Sequence, residues 1–405
     1  MKRRFVFLIV SIIFFCCFFG RFDIAQCVFT VNYASAETET EDLEAELSEE
    51  VEKQLSNLDF DNLELELSKL SSQAKKLFES NSFKDKLNFV LSGEYADSSK
   101  NFFEAIASIF WGNFKEFLPL ISIVVAISIL GGMVFSLQPM SQKNSLSNIV
   151  HFVTYGVILV ILGATITKLV SLSKSTLDSI NGVFSNIYPI LLTLLSAVGG
   201  SVSVGIYQPA IGFLGNVFVN LSTFVLLPMF IFSIVFSIIG NLSNNVKLDK
   251  FVDFLQGSFK WCIGLLFTVF LSFVSIQGIM AGSVDGLSIR TAKYAIKSYV
   301  PIVGGYVSDG LSIILASSSL IKNAVGGVGL FLLLSIAISP VISIALFMIS
   351  LKFMAGIIEP IGDKKIANFV SSLSKSMSLL IGLIVSVCFM YFVLTGLIMC
   401  SANLI

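Results

Sequence analysis

Few side chains in this sequence could do chemistry inside a membrane, and Asp309 is the most unusual of them. It lies in an otherwise apolar run, Tyr299 to Ile321, together with Pro301, Gly304 and Gly305. A carboxylate in hydrocarbon is costly unless it is paired or hydrated, and broken, glycine-rich segments mark translocation paths in transporters. The run therefore predicts either a polar path at Asp309 or a helical hairpin whose tip Asp309 caps.

An earlier segment has a similar composition but carries no acid. Tyr188 and Pro189 are followed there by Gly199 and Gly200. We predict that Pro189, Gly199 and Gly200 are pathway or helix-break positions, like their later counterparts. An ion-coupled carrier would need charged ligands in both segments, so the missing acid disfavours one.

Familiar enzyme and metal-site patterns are missing from the sequence. His151 is the only histidine, so imidazole metal sites and Ser-His-Asp hydrolysis lack their usual base. The six cysteines form no CxxC or Cys/His grouping, and there is no P-loop or HExxH motif. No basic cluster suggests nucleic acid. We predict a protein that is not an enzyme, with no cofactor, metal site or nucleic-acid partner.

Long apolar runs dominate the rest of the chain. Hydrophobic residues make up 55% of it, charged residues 13%, and the mean hydropathy is +0.88. The apolar runs cover residues 117–137, 151–170, 187–207, 217–240, 261–283, 299–321, 324–351 and 377–400. Runs of about 20 residues suit a membrane-spanning helix. We predict an all-α polytopic membrane protein with about six to eight membrane segments, in contact with lipid.

Three prolines suggest an internal repeat in this membrane domain, residues 117–405. Pro119, Pro228 and Pro340 each come early in an apolar run, where a missing N–H costs little, and a polar stretch and a second apolar run follow each of them. The predicted units cover about 117–210, 211–322 and 323–405. We call the segments that begin at Tyr188-Pro189 and at Tyr299 to Pro301 the Tyr-Pro elements. If these elements cross the membrane, successive units are inverted. If they are re-entrant hairpins, all units point the same way.

The N-terminal region has a different character. Residues 1–36 resemble a signal peptide or an uncleaved anchor, with a basic start and an apolar stretch. Residues 37–116 are acidic at first and are predicted to be helical and extracytoplasmic. Leu63, Leu67 and Leu70 recur there at helical spacing, and such a stripe needs another helix or another protein to cover it.

Three stretches resemble the stage III sporulation protein AE family of endospore-forming bacteria, and the likeness extends over nearly the whole chain. They are YPILLTLLSAVGGSVSVGIYQPAIG (188–212), SVDGLSIRTAKYAIKSYVPIVGGYVSDG (283–310) and IIEPIGDKKIANFVSSLSKSM (357–377). The resemblance implies a subunit of a secretion-like channel complex in the mother-cell-derived membrane around the forespore. Its implied partners are other membrane subunits and ring-forming subunits of that complex, and a homo-oligomer is also compatible. The family supplies no catalytic residues to carry over.

Two other functions remain open at this point. A stand-alone secondary transporter for a small solute would need buried charged pairs in more than one unit. A passive assembly scaffold would tolerate substitutions in the predicted path but would need its acidic segment.

Overall fold

The computed structural model describes residues 40–92 apart from 79 and 81, and then 98–136, 143–242, 248–299 and 304–401. All regular secondary structure in these residues is helical. Six stretches are long and apolar enough to cross a membrane: Phe102–Val134, Ile149–Ala197, Ser201–Leu242, Asp249–Ile276, Gly310–Pro360 and Lys364–Cys400. The predicted all-α, multi-pass architecture is confirmed. Residues 1–36 lie outside the described part of the chain.

Short helices come first and long helices follow. The short ones are α1 (Thr40–Ser56), α2 (Asp61–Lys69), α3 (Ser72–Phe78) and α4 (Phe83–Leu91). The long ones are α5 (Ser98–Ser136), α6 (Lys143–Ala197), α7 (Ser201–Leu221), α8 (Leu227–Leu242), α9 (Asp249–Tyr299), α10 (Gly304–Ile361) and α11 (Lys364–Cys400). A π-helix, Ser222–Leu226, joins α7 to α8, so the two form one continuous rod.

Three antiparallel hairpins, α5–α6, α8–α9 and α10–α11, form the bundle. In the last, Ser374 of α11 donates to the Met348 carbonyl of α10, and Cys388 contacts the Leu333 carbonyl. In the first, Lys168 of α6 pairs with Glu116 of α5. Each hairpin therefore returns the chain to the end of the bundle from which it started.

The first helices of the three hairpins run parallel to one another. Asn113 and Phe117 of α5 contact Ser343 and Phe347 of α10 in the same order along both helices. The α7–α8 rod runs antiparallel to α11, because its Ser237 bonds to Ser372 while Tyr207 and Gly215, nearer its start, meet Ser401 and Tyr391. The three proline-bearing helices thus share one direction.

Several helices are longer than a membrane is thick. Helix α6 has 55 residues and α10 has 58, which corresponds to about 80–90 Å at ~1.5 Å per residue. A hydrocarbon core is only about 30 Å thick, so much of each helix must lie outside it or run obliquely. The predicted boundaries at residues 116, 210 and 322 all fall inside continuous helices.

The three prolines differ in their positions within the helices. Pro119 and Pro340 lie inside α5 and α10, well past the first turn. The helices start well before the apolar runs do, because helix formation does not require apolar residues on every face. Pro228 is the second residue of α8, and the π-helix just before it contains Phe224, whose carbonyl has lost its usual donor.

The first Tyr-Pro element is a helical hairpin rather than one crossing. The chain turns at Val198–Gly200, where Gly199 has a φ of 90° and Gly200 caps α7. The Tyr188 hydroxyl donates to the Gln208 carbonyl at 2.8 Å and ties the two arms together. Pro189 lies inside α6, and the helix continues through it to Ala197.

A side chain at Gly199 should weaken this turn. A Cβ in the left-handed region costs roughly 1–2 kcal/mol, so we expect Gly199→Val to lower the free energy of unfolding by about that amount. Chemical denaturation of the detergent-solubilised protein measures it. Gly205→Ala is the control, because Gly205 is helical and open space surrounds it; that change should be neutral or stabilising by up to about 1 kcal/mol. Equal losses in the two variants would contradict the prediction.

The N-terminal helices are covered by the chain's own membrane helices. Leu63 and Leu67 of α2 are buried, and so is Leu70 just beyond it. The ring of Phe78 in α3 lies 6.1 Å from that of Phe331 in α10. The apolar stripe therefore has its partner within the same chain, on α6 and α10.

Candidate functional site

Helix α10 carries the most polar buried part of the bundle in its first half. Ser317, Ser318 and Lys322 are each 0% exposed, although the helix around them is apolar. All three lie in or just after the predicted pathway run, 299–321. Buried polar groups need partners, and in this case the partners come from distant parts of the chain.

Gln54 of α1 satisfies both serines. Its amide nitrogen donates to the Ser317 hydroxyl at 3.0 Å, and the Ser318 hydroxyl donates to its amide oxygen at 2.8 Å. One carboxamide therefore bonds to two successive residues of α10, an arrangement that we call the glutamine clasp. This contact fixes the N-terminal helices against the first half of α10.

Lys322 is bound by the end of α11. Its ammonium group donates to the Ser401 carbonyl at 2.6 Å, and the Ser401 hydroxyl bonds to the Tyr207 hydroxyl of α7 at 2.8 Å. We call the six residues Gln54, Tyr207, Ser317, Ser318, Lys322 and Ser401 the polar seam. It joins four helical elements, α1, α7, α10 and α11, at one end of the bundle.

The polar seam combines a charge with small neutral dipoles. Its six members supply hydroxyls, one carboxamide and one ammonium group, and no carboxylate. Moving an ammonium ion from water into a protein interior costs several kcal/mol even after relaxation, and a carbonyl acceptor offsets only part of that cost. Because a charged side chain inside a membrane helix is so costly, we treat Lys322 as a candidate functional residue.

The predicted pathway residues near Asp309 are only partly described. Gly304 and Gly305 form the start of α10, and Asp309 lies in its second turn. The Asp309 side chain and the whole of Pro301 lie outside the described part of the chain. Asp309 precedes Lys322 by 13 positions on one helix, which is about 20 Å, so α10 itself cannot bring the two charges into contact.

The earlier pathway residues lie near a second polar surface. Pro189 lines an open cavity of about 320 Å³ between α6 and the α1–α2 connection, together with Asn57, Asp59, Asn62 and Asn186. Gly199 and Gly200 form the turn between α6 and α7. The structure therefore brings Tyr207, but not Pro189, to the polar seam.

A separate ionisable pair lies at the opposite end of the bundle. The Nδ1 atom of His151 is 2.5 Å from Oδ2 of Asp363, and the other carboxylate oxygen of Asp363 accepts from the Lys365 amide and caps α11. Burial raises the pKa of the Asp363 carboxyl, but the hydrogen bonds and positive charge of His151 and Lys365 outweigh burial, so this pKa lies below its ordinary value. Asp363 therefore anchors the α10–α11 turn to α6.

Lys322 is the site residue that sequence reasoning missed. Hydropathy separated the apolar runs 299–321 and 324–351 at Lys322 and Asn323, which made the lysine look like part of a connecting loop. The available signal was the spacing: two flanking runs separated by only two residues, neither of them Gly or Pro, are compatible with one helix that contains a single charge.

The chain matches a known protein family over most of its length. The family model described as Stage III sporulation protein AE matches residues 81–402. The chain belongs to the stage III sporulation protein AE family. A relative from Bacillus subtilis (strain 168), described as Stage III sporulation protein AE, is 24% identical over 314 residues, which cover 78% of this chain and 79% of the relative. No solved structure matches the chain.

The family match includes most of the polar seam. Tyr207, Ser317, Ser318, Lys322 and Ser401 all lie within residues 81–402. Gln54 and helices α1–α3 precede the matched region, so the acidic segment lies mostly outside it. The resemblance of the acidic segment to this family therefore stays a prediction.

Proposed function

We propose that this chain is a membrane-embedded subunit of a secretion-like channel complex that connects mother cell and forespore during endospore development. Membership of a stage III sporulation family supports the sporulation role. The observation that carries the proposal is Lys322, a fully buried charge in a membrane-length helix, held by Ser401. A buried ammonium group with hydroxyl neighbours suits a polar path better than a lipid-facing wall.

The proposal includes an orientation and a set of partners. Residues 37–116 face the extracytoplasmic side, after a signal peptide or anchor formed by residues 1–36, in the membrane around the forespore. Exposed acids of α1, such as Glu46, Glu49 and Glu52, point away from the bundle and are available to ring-forming or membrane partners. The chain acts without catalysis of its own and depends on other subunits for energy.

The parallel hairpins support the predicted internal repeat. If the units arose by duplication, equivalent surfaces would face equivalent solvents, which is what a common direction of α5, α8 and α10 provides. The proposed units are the three proline-bearing hairpins, with the Tyr188–Gly200 element as a connecting hairpin.

A secondary transporter is the second candidate, and the buried lysine is the observation in its favour. Ion-coupled transport requires buried charged ligands in more than one repeat. Among the residues that the structure describes, Lys322 is the one charged side chain that is fully buried. The channel subunit therefore agrees better with the described part of the chain, and a passive scaffold is the third alternative.

Sporulation of three strains tests the proposal. We compare a deletion of the gene, the Asp309→Asn variant and the wild type, and we measure heat-resistant spores, protein level and membrane insertion. We expect the deletion to arrest development after engulfment and a stable Asp309→Asn protein to arrest it similarly. A deletion strain that sporulates normally would refute the sporulation role. A stable Asp309→Asn protein with normal sporulation would remove Asp309 from the path and favour a scaffold.

A further inference from the structure

The cavity beside Pro189 has the size of a small-molecule pocket. Its volume of about 320 Å³ lies within the range of ligand pockets in proteins, roughly 300–1,000 Å³. One wall is the face of α6 that carries Ser185, Asn186 and Pro189, and the other is the α1–α2 connection at Asn57 and Asp59. We call this site the Pro189 cavity. Because it is open, a ligand can reach it without any movement of the helices.

The carboxamides of Asn57 and Asn186 place an unpaired acceptor on each wall. Asn57 Nδ2 donates to the Lys53 carbonyl at 3.0 Å, and Asn186 Nδ2 donates to the Gly182 carbonyl at 2.9 Å. Each amide nitrogen is thus held by the backbone one helical turn earlier. Neither Oδ1 atom accepts a hydrogen bond within the described part of the chain. A carbonyl oxygen of this kind has two lone pairs to offer a ligand.

Pro189 adds a backbone acceptor to the α6 wall. In an α-helix, the carbonyl of one residue accepts from the N–H four residues later, and proline has no N–H. Helix α6 continues through Pro189 to Ala197, so the Ser185 carbonyl lacks its helical donor. Ser185 and Pro189 both line the cavity. The unpaired carbonyl therefore lies on the wall that faces the α1–α2 connection.

Asp59 gives the cavity a negative charge. It is the one charged residue among the described residues of the lining. Its Oδ1 atom accepts from the Asp61 amide at 2.9 Å, and no cation in the described ranges pairs with its carboxylate. The nearby Glu66 differs, because Lys69 pairs with it at 2.9 Å. The cavity thus combines a carboxylate without a counter-ion with unpaired neutral acceptors on both walls.

An organic cation suits this arrangement better than a metal ion does. Calcium and magnesium gather roughly six to eight oxygens at about 2.0–2.6 Å, and a cavity of about 320 Å³ is much larger than such a coordination sphere. A guanidinium or an alkylammonium group instead spreads several N–H donors over a larger volume. Leu58 and Ile190 also line the cavity and offer apolar contact to a carbon chain behind the charge.

We propose that the Pro189 cavity binds a small organic cation, a guanidinium or primary ammonium group on a short apolar chain. The charged group pairs with Asp59 and donates to the Asn57 and Asn186 side chains and to the Ser185 carbonyl. A free small molecule and a basic side chain of another protein present this same chemistry. This inference does not depend on the channel role.

Binding of butylguanidinium to the full-length protein in mild detergent tests the site. Ligand-observed NMR measures the dissociation constant, which we expect to be about 1 mM or lower. Butylurea is the chemical control, because it has nearly the same shape and no charge. We expect it to bind at least about ten-fold more weakly, since hydrogen bonds to ionised groups are the stronger ones.

Asp59→Asn removes the charge and keeps the shape of the lining. Asparagine forms the same turn with the backbone two residues on, so the α1–α2 connection is retained. We expect butylguanidinium to bind about ten-fold more weakly. Asp61→Asn is the matched control. It removes an equal charge two residues away, outside the cavity lining, and salt screens its effect, so the change should stay below about two-fold.

Pro189→Ala tests the backbone acceptor without changing any charge. Alanine supplies the missing N–H, and the Ser185 carbonyl then bonds within its own helix. We expect butylguanidinium to bind about three- to ten-fold more weakly, as for loss of one hydrogen bond, while α6 remains folded. Pro209→Ala is the control, because Pro209 also lies inside a helix but does not line the cavity; it should not change binding.

Photo-cross-linking in membranes of sporulating cells distinguishes the two sources of the cation. Leu58 is replaced by p-benzoylphenylalanine. A cross-link to another protein that disappears when Asp59→Asn is added identifies a basic side chain. Probe binding without such a cross-link identifies a free small molecule. The proposal is overturned if butylguanidinium does not bind, if butylurea binds equally well, or if Asp59→Asn weakens binding no more than Asp61→Asn.

Discussion

Replacing Lys322 with methionine should abolish heat-resistant spores while the protein remains in the membrane at its normal level. The ammonium group is fully buried and donates to the Ser401 carbonyl at 2.6 Å. Replacing a whole buried ion pair by apolar side chains of similar volume is often neutral or stabilising, so we expect little cost from loss of the ammonium group itself. The orphaned carbonyl costs roughly 1–3 kcal/mol. We therefore expect a free energy of unfolding within about 2 kcal/mol of the wild type, and a loss of function that folding does not explain.

The same helix provides a matched control. Lys352 is exposed on α10, so Lys352→Met removes an equal charge from the same element without touching the polar seam. It should sporulate normally. Spore counts and the amount of membrane-inserted protein are measured in parallel for both variants. If a stable Lys322→Met protein supports normal sporulation, Lys322 has only a structural role, and the case for a polar path through α10 fails.

Replacing Tyr391 with alanine should cause the largest loss of stability of any single substitution considered. Tyr391 is fully buried, and its ring centroid lies 4.2 Å from that of Phe184. Its hydroxyl donates to the Asn181 side chain at 2.7 Å and contacts the Gly215 carbonyl at 3.3 Å. One side chain thus ties α6, α7 and α11 together. Removing a buried aromatic ring costs about 3–5 kcal/mol, and chemical denaturation in mild detergent should show a loss of that size.

Two further variants separate the contribution of the buried ring to stability from that of its hydroxyl and from that of an exposed ring. Tyr391→Phe keeps the ring and removes the hydrogen bonds, so the loss should be about 1–2 kcal/mol. Phe353→Ala removes an exposed ring from α10 and should change the unfolding free energy in detergent little. If Tyr391→Ala is no more damaging than Phe353→Ala, the packing of α6, α7 and α11 around Tyr391 is not what stabilises the bundle.

Periodicity predicted the helices well, but it could not predict their ends or their partners. The apolar runs located every membrane-length helix in the described part of the chain, because a hydrocarbon layer imposes a strong and local constraint. They divided α10 at Lys322 because hydropathy cannot tell a buried charge from a loop. The acceptor of that lysine, Ser401, is 79 positions away, and nothing in the local sequence points to it.

The amphipathic stripe shows the same limit for the N-terminal helices. The spacing of Leu63, Leu67 and Leu70 showed that they needed a partner, and the structure shows which one it is. Two alternatives were open, another helix or another protein, because a stripe contains no information about the surface that covers it. The glutamine clasp at Ser317 and Ser318 was equally invisible, since serines are common in membrane helices and Gln54 lies in a charged segment.

The clasp between Gln54 and α10 also sets an order of events during synthesis. The two partners are 263 residues apart, so at ~5–20 residues per second the ribosome needs about 13–50 s to make the second after the first. Throughout that interval α10 is not there to cover the apolar side chains of α3, such as Phe78, and an insertase or chaperone must shield them or they remain open to proteases. A chain that stops before α10 never acquires that surface. Docking of α1 and α3 against α10 therefore shows that synthesis has proceeded through α10.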